Sequence, residues 1–387
     1  MNEVKSYGVK SLICAVLVAA VVIAGVLGII YGVVLKPKEF KHIIPASGDG
    51  TGYYRYCYDS LNEQERFVYS VIIQEIYSQP DKIEIPSLDG CDLSKIYEAI
   101  SLDNPDLMGL SYNCKSYKMG NKTYFIPTYE FSESESKKCI EQTEKIVSDI
   151  VSGAENYHTD YEKELYVHDY IINHCTYADP EEGHSVNTAY GCLVLGRASC
   201  EGYSRAFQMV MNELDIDNRL VTGESIDGDG NYIGHMWNYV MIDGNGYFID
   251  LTWDDPEGGE EVLRHTYFNF STNEMFKSYR NIAQDLPLCN AVDYNYFVKE
   301  GAYLNIGSGE TFVSLVSAAI KSAMGKGYSC VELKFSDEIV VEQAKNSLFV
   351  DGNIYSIYES YGLMENTAGA QVYYSIDANM NTICIFF

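Results

Sequence analysis

Ser199-Cys200-Glu201-Gly202-Tyr203 is followed at residue 234 by Gly234-His235-Met236-Trp237-Asn238 and at residue 250 by Asp250-Leu251-Thr252-Trp253-Asp254-Asp255-Pro256. A cysteine, a histidine and an aspartate thus occur in the order that a thiol triad uses. Cysteine attacks as its thiolate, which a helix N-terminus favours through unpaired N–H groups. The segment after Ser199 has that character. Ser199 is a cap by type, Glu201 suits a first turn, and Tyr203, Ala206, Phe207, Val210, Met211 and Leu214 form one apolar stripe. Gly202 leaves space beside the sulfur.

Residues 234–242 alternate as a strand, with His235, Trp237, Tyr239 and Met241 on one face, and residues 247–253 are expected to alternate likewise, with Phe248, Asp250 and Thr252 together. Asp243-Gly244 between them is a favoured two-residue hairpin turn. That turn sets Ile242 opposite Asn245 and Trp237 opposite Asp250. Asp250 then lies diagonal to His235 on the same face, at roughly 7–8 Å between backbones and within side-chain reach. A histidine held by an acid and aimed at a thiol is the arrangement of acyl transfer: the imidazole moves the proton and the carboxylate fixes its tautomer. Gly202, Tyr203, Trp237 and Trp253 flank the three and are candidate substrate contacts.

These motifs resemble those of the transglutaminase-like superfamily, in particular its bacterial, membrane-anchored members: Cys-x-Gly-Tyr opening a helix, Gly-His-Met-Trp-Asn, and Asp-x-Thr-Trp-Asp-Asp-Pro. The likeness runs from about Tyr161 to Phe276 and takes in Tyr190-Gly191-Cys192-Leu193 and Tyr267-Phe268-Asn269. It implies an α+β fold with a papain-like core, in which the helix bearing Cys200 packs on an antiparallel sheet. By the same resemblance Cys200 is the nucleophile, His235 the base, Asp250 the orienting acid, and the Cys200 N–H part of an oxyanion hole. Where animal crosslinking enzymes of the family have Gly-Gln-Cys-Trp, this chain has Ala198-Ser199-Cys200-Glu201.

The 387 residues, 47% hydrophobic, are enough for two or three compact units. Expected boundaries are an N-terminal α+β unit at 53–130, the catalytic core at 133–285 and a C-terminal α+β unit at 295–387. A net charge of −28 argues against nucleic acid as a partner. Residues 11–35 carry no charge and, at about 1.5 Å per residue, reach roughly 37 Å, enough for a single-pass membrane helix. Five of the 27 basic residues and two of the 55 acidic ones lie at or before Lys41, which leaves 22 against 53 beyond it. The 11 cysteines contain no Cys-x-x-Cys pair. Asp227-Gly228-Asp229-Gly230-Asn231 is similar to the start of a calcium loop, but Tyr232 stands at the turn-glycine position and no glutamate closes it. His168 and His174 read as satisfied histidines rather than ligands. No cofactor or metal is expected.

The function expected is that of a cell-surface thiol acyltransferase or amide hydrolase with a peptide or protein substrate, cell-wall peptide being one candidate. A strict cysteine peptidase and a non-catalytic binding module on the same fold are the alternatives. The short tail before the span and the large body after it place residues 42–387 outside the cytoplasm, although the lysine balance across the span runs the other way. Protease added to intact cells is therefore expected to digest the body. Digestion only after lysis would reverse the topology.

Overall fold

The computed structural model describes residues 55–255, 263–304, 312–363 and 371–387. The expected membrane anchor at residues 11–35 lies outside them. Among the described residues no helix is long and apolar enough to cross a membrane. The fold is mixed α+β with antiparallel pairing predominant, and the chain divides into two compact units. One holds residues 58–100 and 110–133, the other residues 101–109 and 134–387 together with the segment just before Tyr58.

In the first unit helix α1 (Glu63–Ile76) opens on a capping box, with the Asn62 side chain accepting from the Glu65 N–H and the Glu65 carboxylate accepting from the Asn62 N–H. Strand β1 (Ile83–Ile85), helix α2 (Leu93–Asp103) and the hairpin β2 (Leu110–Met119) and β3 (Lys122–Tyr129) complete it. The sheet order is β1-β3-β2.

The second unit begins with two helices, α3 (Glu133–Ala154) and α4 (Asp160–His174), the latter capped by the reciprocal Thr159–Glu162 pair. Short parallel strands β4 (Thr176–Tyr177) and β5 (Arg197–Ala198) then bring the chain to helix α5 (Cys200–Glu213). Every residue of α5 from Gly202 to Asn212 is buried, so this helix is enclosed on all sides rather than along one stripe. It lies against strands β6 (Asn218–Ile226) and β7 (Tyr232–Ile242). With β8 (Asn245–Ile249) and β9 (Tyr279–Arg280) they form an antiparallel sheet ordered β8-β7-β6-β9.

Two buried hydrogen bonds fasten helix to sheet: Ser204 Oγ donates to the Met236 carbonyl at 3.0 Å, and Asn238 Nδ2 donates to the Ser204 carbonyl at 3.1 Å. On the other face of the sheet Trp237, Tyr239, Phe248, Phe270 and Tyr279 form an aromatic core with Val221 and Met275. The β6–β7 tip is a turn in which the Asp227 carboxylate accepts from the Asp229 and Asn231 N–H groups.

The β7–β8 hairpin has the register that its turn chemistry requires. Asp243 and Gly244 take φ of 49° and 76°, and Ile242 pairs with Asn245 and Asn238 with Ile249. The strand expected through residue 253 ends at Ile249, however. Asp250 instead caps the short helix α6 (Leu251–Asp254), because its carboxylate accepts from the Thr252 and Trp253 N–H groups and turns the chain out of the sheet.

Farther on, Asn269 adopts a φ of 53° and donates to the buried Glu164 carboxyl at 2.8 Å; burial pushes that carboxyl up to about 8. Helix α7 (Thr272–Ser278) leads into β9. The C-terminal sheet, ordered β10 (Tyr303–Leu304), β11 (Cys330–Phe335), β13 (Thr382–Phe386) and β12 (Tyr374–Asp377), is covered by helices α8 (Phe312–Gly325), α9 (Glu338–Lys345) and α10 (Asn353–Ser360). It is tied to the rest of the unit by Lys334–Glu274 at 2.6 Å and Tyr267–Asp377 at 2.5 Å.

Gly202 does not open space for substrate. A Cβ there would stand 2.4 Å from the Val186 carbonyl oxygen and 2.8 Å from the Ala198 Cβ, so the missing side chain admits the backbone of the preceding loop. Gly202→Ala should destabilise the protein by about 1–3 kcal/mol through overpacking. Urea denaturation of the variant checks this; an unchanged midpoint would mean that the loop gives way freely.

Candidate functional site

Cys200 is the first residue of α5, and its place is set by the segment before it. The Ser199 N–H donates to the Val186 carbonyl at 2.9 Å, and the parallel pairing of Tyr177 with Ala198 holds the approach. Ser199 does not cap the helix. Its hydroxyl donates to Asn187 Oδ1 at 2.6 Å, so the first-turn N–H groups of α5 receive no side-chain cap from it. The Cys200 side chain is half-buried and rests on Leu102, Leu220 and Met236. Arg205 secures the next turn, donating to Glu201 Oε1 at 2.7 Å and, through its two terminal nitrogens, to the carbonyl and hydroxyl of Ser101 at 2.8 Å each.

His235, on β7, lies close enough to Cys200 for the two side chains to interact electrostatically. Its Nε2–H donates to Asp250 Oδ2 at 2.7 Å, which leaves Nδ1 for the sulfur. Burial of the imidazole works against its charged form, but the Asp250 charge and hydrogen bond, with a further contribution from Cys200, outweigh this and raise His235 to about 10. Asp250 is only 1% exposed, and its carboxylate takes four donors: His235, the Tyr279 hydroxyl at 2.8 Å, and the Thr252 and Trp253 N–H groups. Rings surround the histidine, with centroids of Trp253 at 5.4 Å, Trp237 at 6.0 Å and Tyr279 at 6.2 Å.

Cys200, His235 and Asp250 therefore come together, His235 bonded to Asp250 and in electrostatic interaction with Cys200. The flanking candidates do not share one role. Tyr203 is fully buried and donates its hydroxyl to Asp255 Oδ2, and Trp237 is fully buried in the aromatic core beneath His235. Neither meets solvent, so neither contacts substrate in this conformation. Trp253 does: it is partly exposed and borders a polar cavity of about 310 Å³ that also has Arg264, Tyr267 and Asp377 in its walls. The donor from Tyr279 carried no sequence signal, because it comes from a two-residue strand 29 positions beyond Asp250.

Residues 145–250 match the family model described as the transglutaminase-like superfamily core. Residues 145–250 are therefore similar to a transglutaminase-like core. The matched interval contains Cys200 and His235 and ends on Asp250. Among solved structures, one described as a TGase is 17% identical, with 49% of this chain and 54% of that chain covered and a TM-score of 0.26. A candidate cysteine protease from Cytophaga hutchinsonii is 14% identical, with 36% and 61% covered and a TM-score of 0.25. The chain thus spans 54% and 61% of the length of these two. No curated protein matches it.

The raised His235 has a consequence for stability. Its value in the folded protein lies above the ~6.5 of an unfolded histidine, so its contribution is fully present below about pH 6.5 and is lost as pH rises through about 10. Asp250→Asn removes the charge responsible. Between pH 7 and 10 the melting temperature of the wild type should fall more steeply than that of the variant. Parallel slopes would show that the Asp250 charge does not hold the imidazolium.

Proposed function

We propose that this protein is a thiol acyltransferase or amide hydrolase that acts on peptide or protein substrates at the cell surface, with Cys200 as nucleophile, His235 as proton carrier and Asp250 as the acid that orients it. The observation that carries the reading is the grouping of Cys200, His235 and Asp250, in which a partly buried cysteine lies beside a buried imidazole whose Nε2 is held by the acid at 2.7 Å. An imidazolium retained to about pH 10 is the partner that a thiolate needs.

In this scheme the Cys200 thiolate attacks the carbonyl carbon of an amide, and the developing oxyanion is met by the Cys200 N–H at the start of α5. As the C–N bond breaks, His235 gives its Nδ1 proton to the departing amine, and a thioester remains on Cys200. An incoming amine or water then loses its proton to His235 as it attacks the thioester, and the thiolate is regenerated with the imidazolium. Asp250 keeps Nε2 protonated throughout, so that Nδ1 is the nitrogen that gains and loses the proton. Trp253, beside His235 and bordering a polar cavity, is the aromatic side chain best placed to meet substrate. The surface location and a cell-wall peptide as substrate rest on the apolar segment 11–35, which would anchor the body to the membrane.

Transfer and hydrolysis share the thioester and part only at the second attack. Incorporation of a labelled primary amine and release of ammonia or peptide, measured side by side on wild type and Cys200→Ala over peptide and cell-wall substrates, distinguish them. Either signal should be present in the wild type and absent from the variant, a fall of at least about 10³-fold for loss of a nucleophile. Equal signals from the two proteins would remove the enzyme and leave a binding module on the same fold.

A further inference from the structure

A second cluster of histidines and carboxylates lies apart from the thiol, at the meeting of α4, the segment before Tyr267, and β11. Asp169 Oδ1 stands 3.0 Å from His168 Nδ1 and 2.9 Å from His265 Nε2, and the three ligand atoms lie within 4.8 Å of one another. We propose that His168, Asp169 and His265 form a binding site for a divalent transition-metal ion of the zinc class. Two imidazoles and one carboxylate are a donor set that such ions take, with a fourth position left to solvent. Two ligand atoms about 2.0–2.1 Å from one tetrahedral ion are themselves about 3.3 Å apart, so Asp169 Oδ1, at 3.0 and 2.9 Å from the two ring nitrogens, needs to draw back by only a few tenths of an ångström to admit one.

The outer halves of the two rings point the same way. His168 Nε2 faces Asp254 Oδ2 at 3.2 Å and His265 Nδ1 faces Glu332 Oε2 at 3.2 Å, so each histidine has a carboxylate behind it, as ligating histidines have. Those carboxylates are held in turn: Asp254 Oδ1 accepts from the Tyr267 N–H at 2.9 Å, and Glu332 accepts from the His265 N–H at 2.8 Å and the Thr266 hydroxyl at 3.1 Å. All four ring nitrogens therefore face carboxylate oxygens, and the ring centroids lie 5.2 Å apart in a buried place. An ion would take the inner nitrogens, His168 Nδ1 and His265 Nε2, together with Asp169, and leave each outer nitrogen on its carboxylate. Asp169, 32% exposed, gives the ion a way in.

Such an ion would clamp α4 to the residues around His265 and, through Glu332, to the C-terminal sheet. It stands apart from the proposed thiol chemistry, so its test does not depend on activity. The purified full chain is stripped with chelator, given Zn²⁺ or Co²⁺ alone, desalted and assayed for bound metal, ligand-field absorption of Co²⁺ and melting temperature. The wild type should hold roughly one ion per chain and melt higher with it. Asp169→Asn should hold none, and Glu332→Gln should bind about 10–100-fold more weakly, with far-UV circular dichroism showing that both metal-free variants are folded. A wild type that retains no metal, or that retains as much as Asp169→Asn does, would overturn the site and leave an ion-pair cluster.

Discussion

The hydrogen bond between Asp250 and His235 is the constraint around which the second unit is arranged. A carboxylate only 1% exposed has to be met by donors from several directions, and it is: one from β7, one from β9 and two from the helix that it caps. The four donors thus come from three parts of the chain. The end of β8 at Ile249, the turn into α6 and the return of the chain as β9 can all be understood as ways of bringing N–H and O–H groups to one carboxylate. The aromatic core below serves the same end, since Trp237 and Tyr279 pack at 4.7 Å and hold the floor on which the histidine lies.

The thiol is positioned by different means. Its helix is buried throughout, and the bonds that join it to β7 run through backbone carbonyls at Met236 and Ser204 rather than through the reacting groups. Sulfur and imidazole thus keep their spacing through two rigid elements fastened one residue beyond His235. The loop before the helix is equally tight, because Gly202 lets the Val186 carbonyl approach to a distance that no other residue would permit. Motifs that seem to surround a substrate in the linear sequence are here mainly devices of packing. Trp253, at the edge, is the exception.

Charge is concentrated in the same unit in a second way. His168, Asp169, Asp254, His265 and Glu332 come from four separate stretches of chain and meet around two rings. Asp254 belongs to the same short helix that Asp250 caps, and the Asp250 N–H donates to the Tyr267 carbonyl while the Tyr267 N–H donates to Asp254. The histidine cluster and the acid beside His235 thus share a short stretch of backbone.

Sequence alone determined whatever depends on neighbours along the chain. Asp243-Gly244 specified the hairpin, because few residue pairs accept positive φ at both turn positions, and the hairpin in turn set Ile249 across from Asn238 and so brought Asp250, the next residue, within reach of His235. The helix that begins at Cys200 was legible for the same reason, in its apolar spacing and its first-turn acid. Tertiary structure decided the rest. Whether Trp237 or Trp253 would meet solvent, whether Ser199 would cap its helix or bond Asn187, and that Tyr279 would complete the shell of Asp250 all depend on segments brought together from far apart. His168 and Glu332 are 164 positions apart in the sequence, and nothing local marks them as members of one cluster. Backbone preferences act over a few residues, whereas burial and the pairing of buried charge are settled only when distant surfaces close on one another.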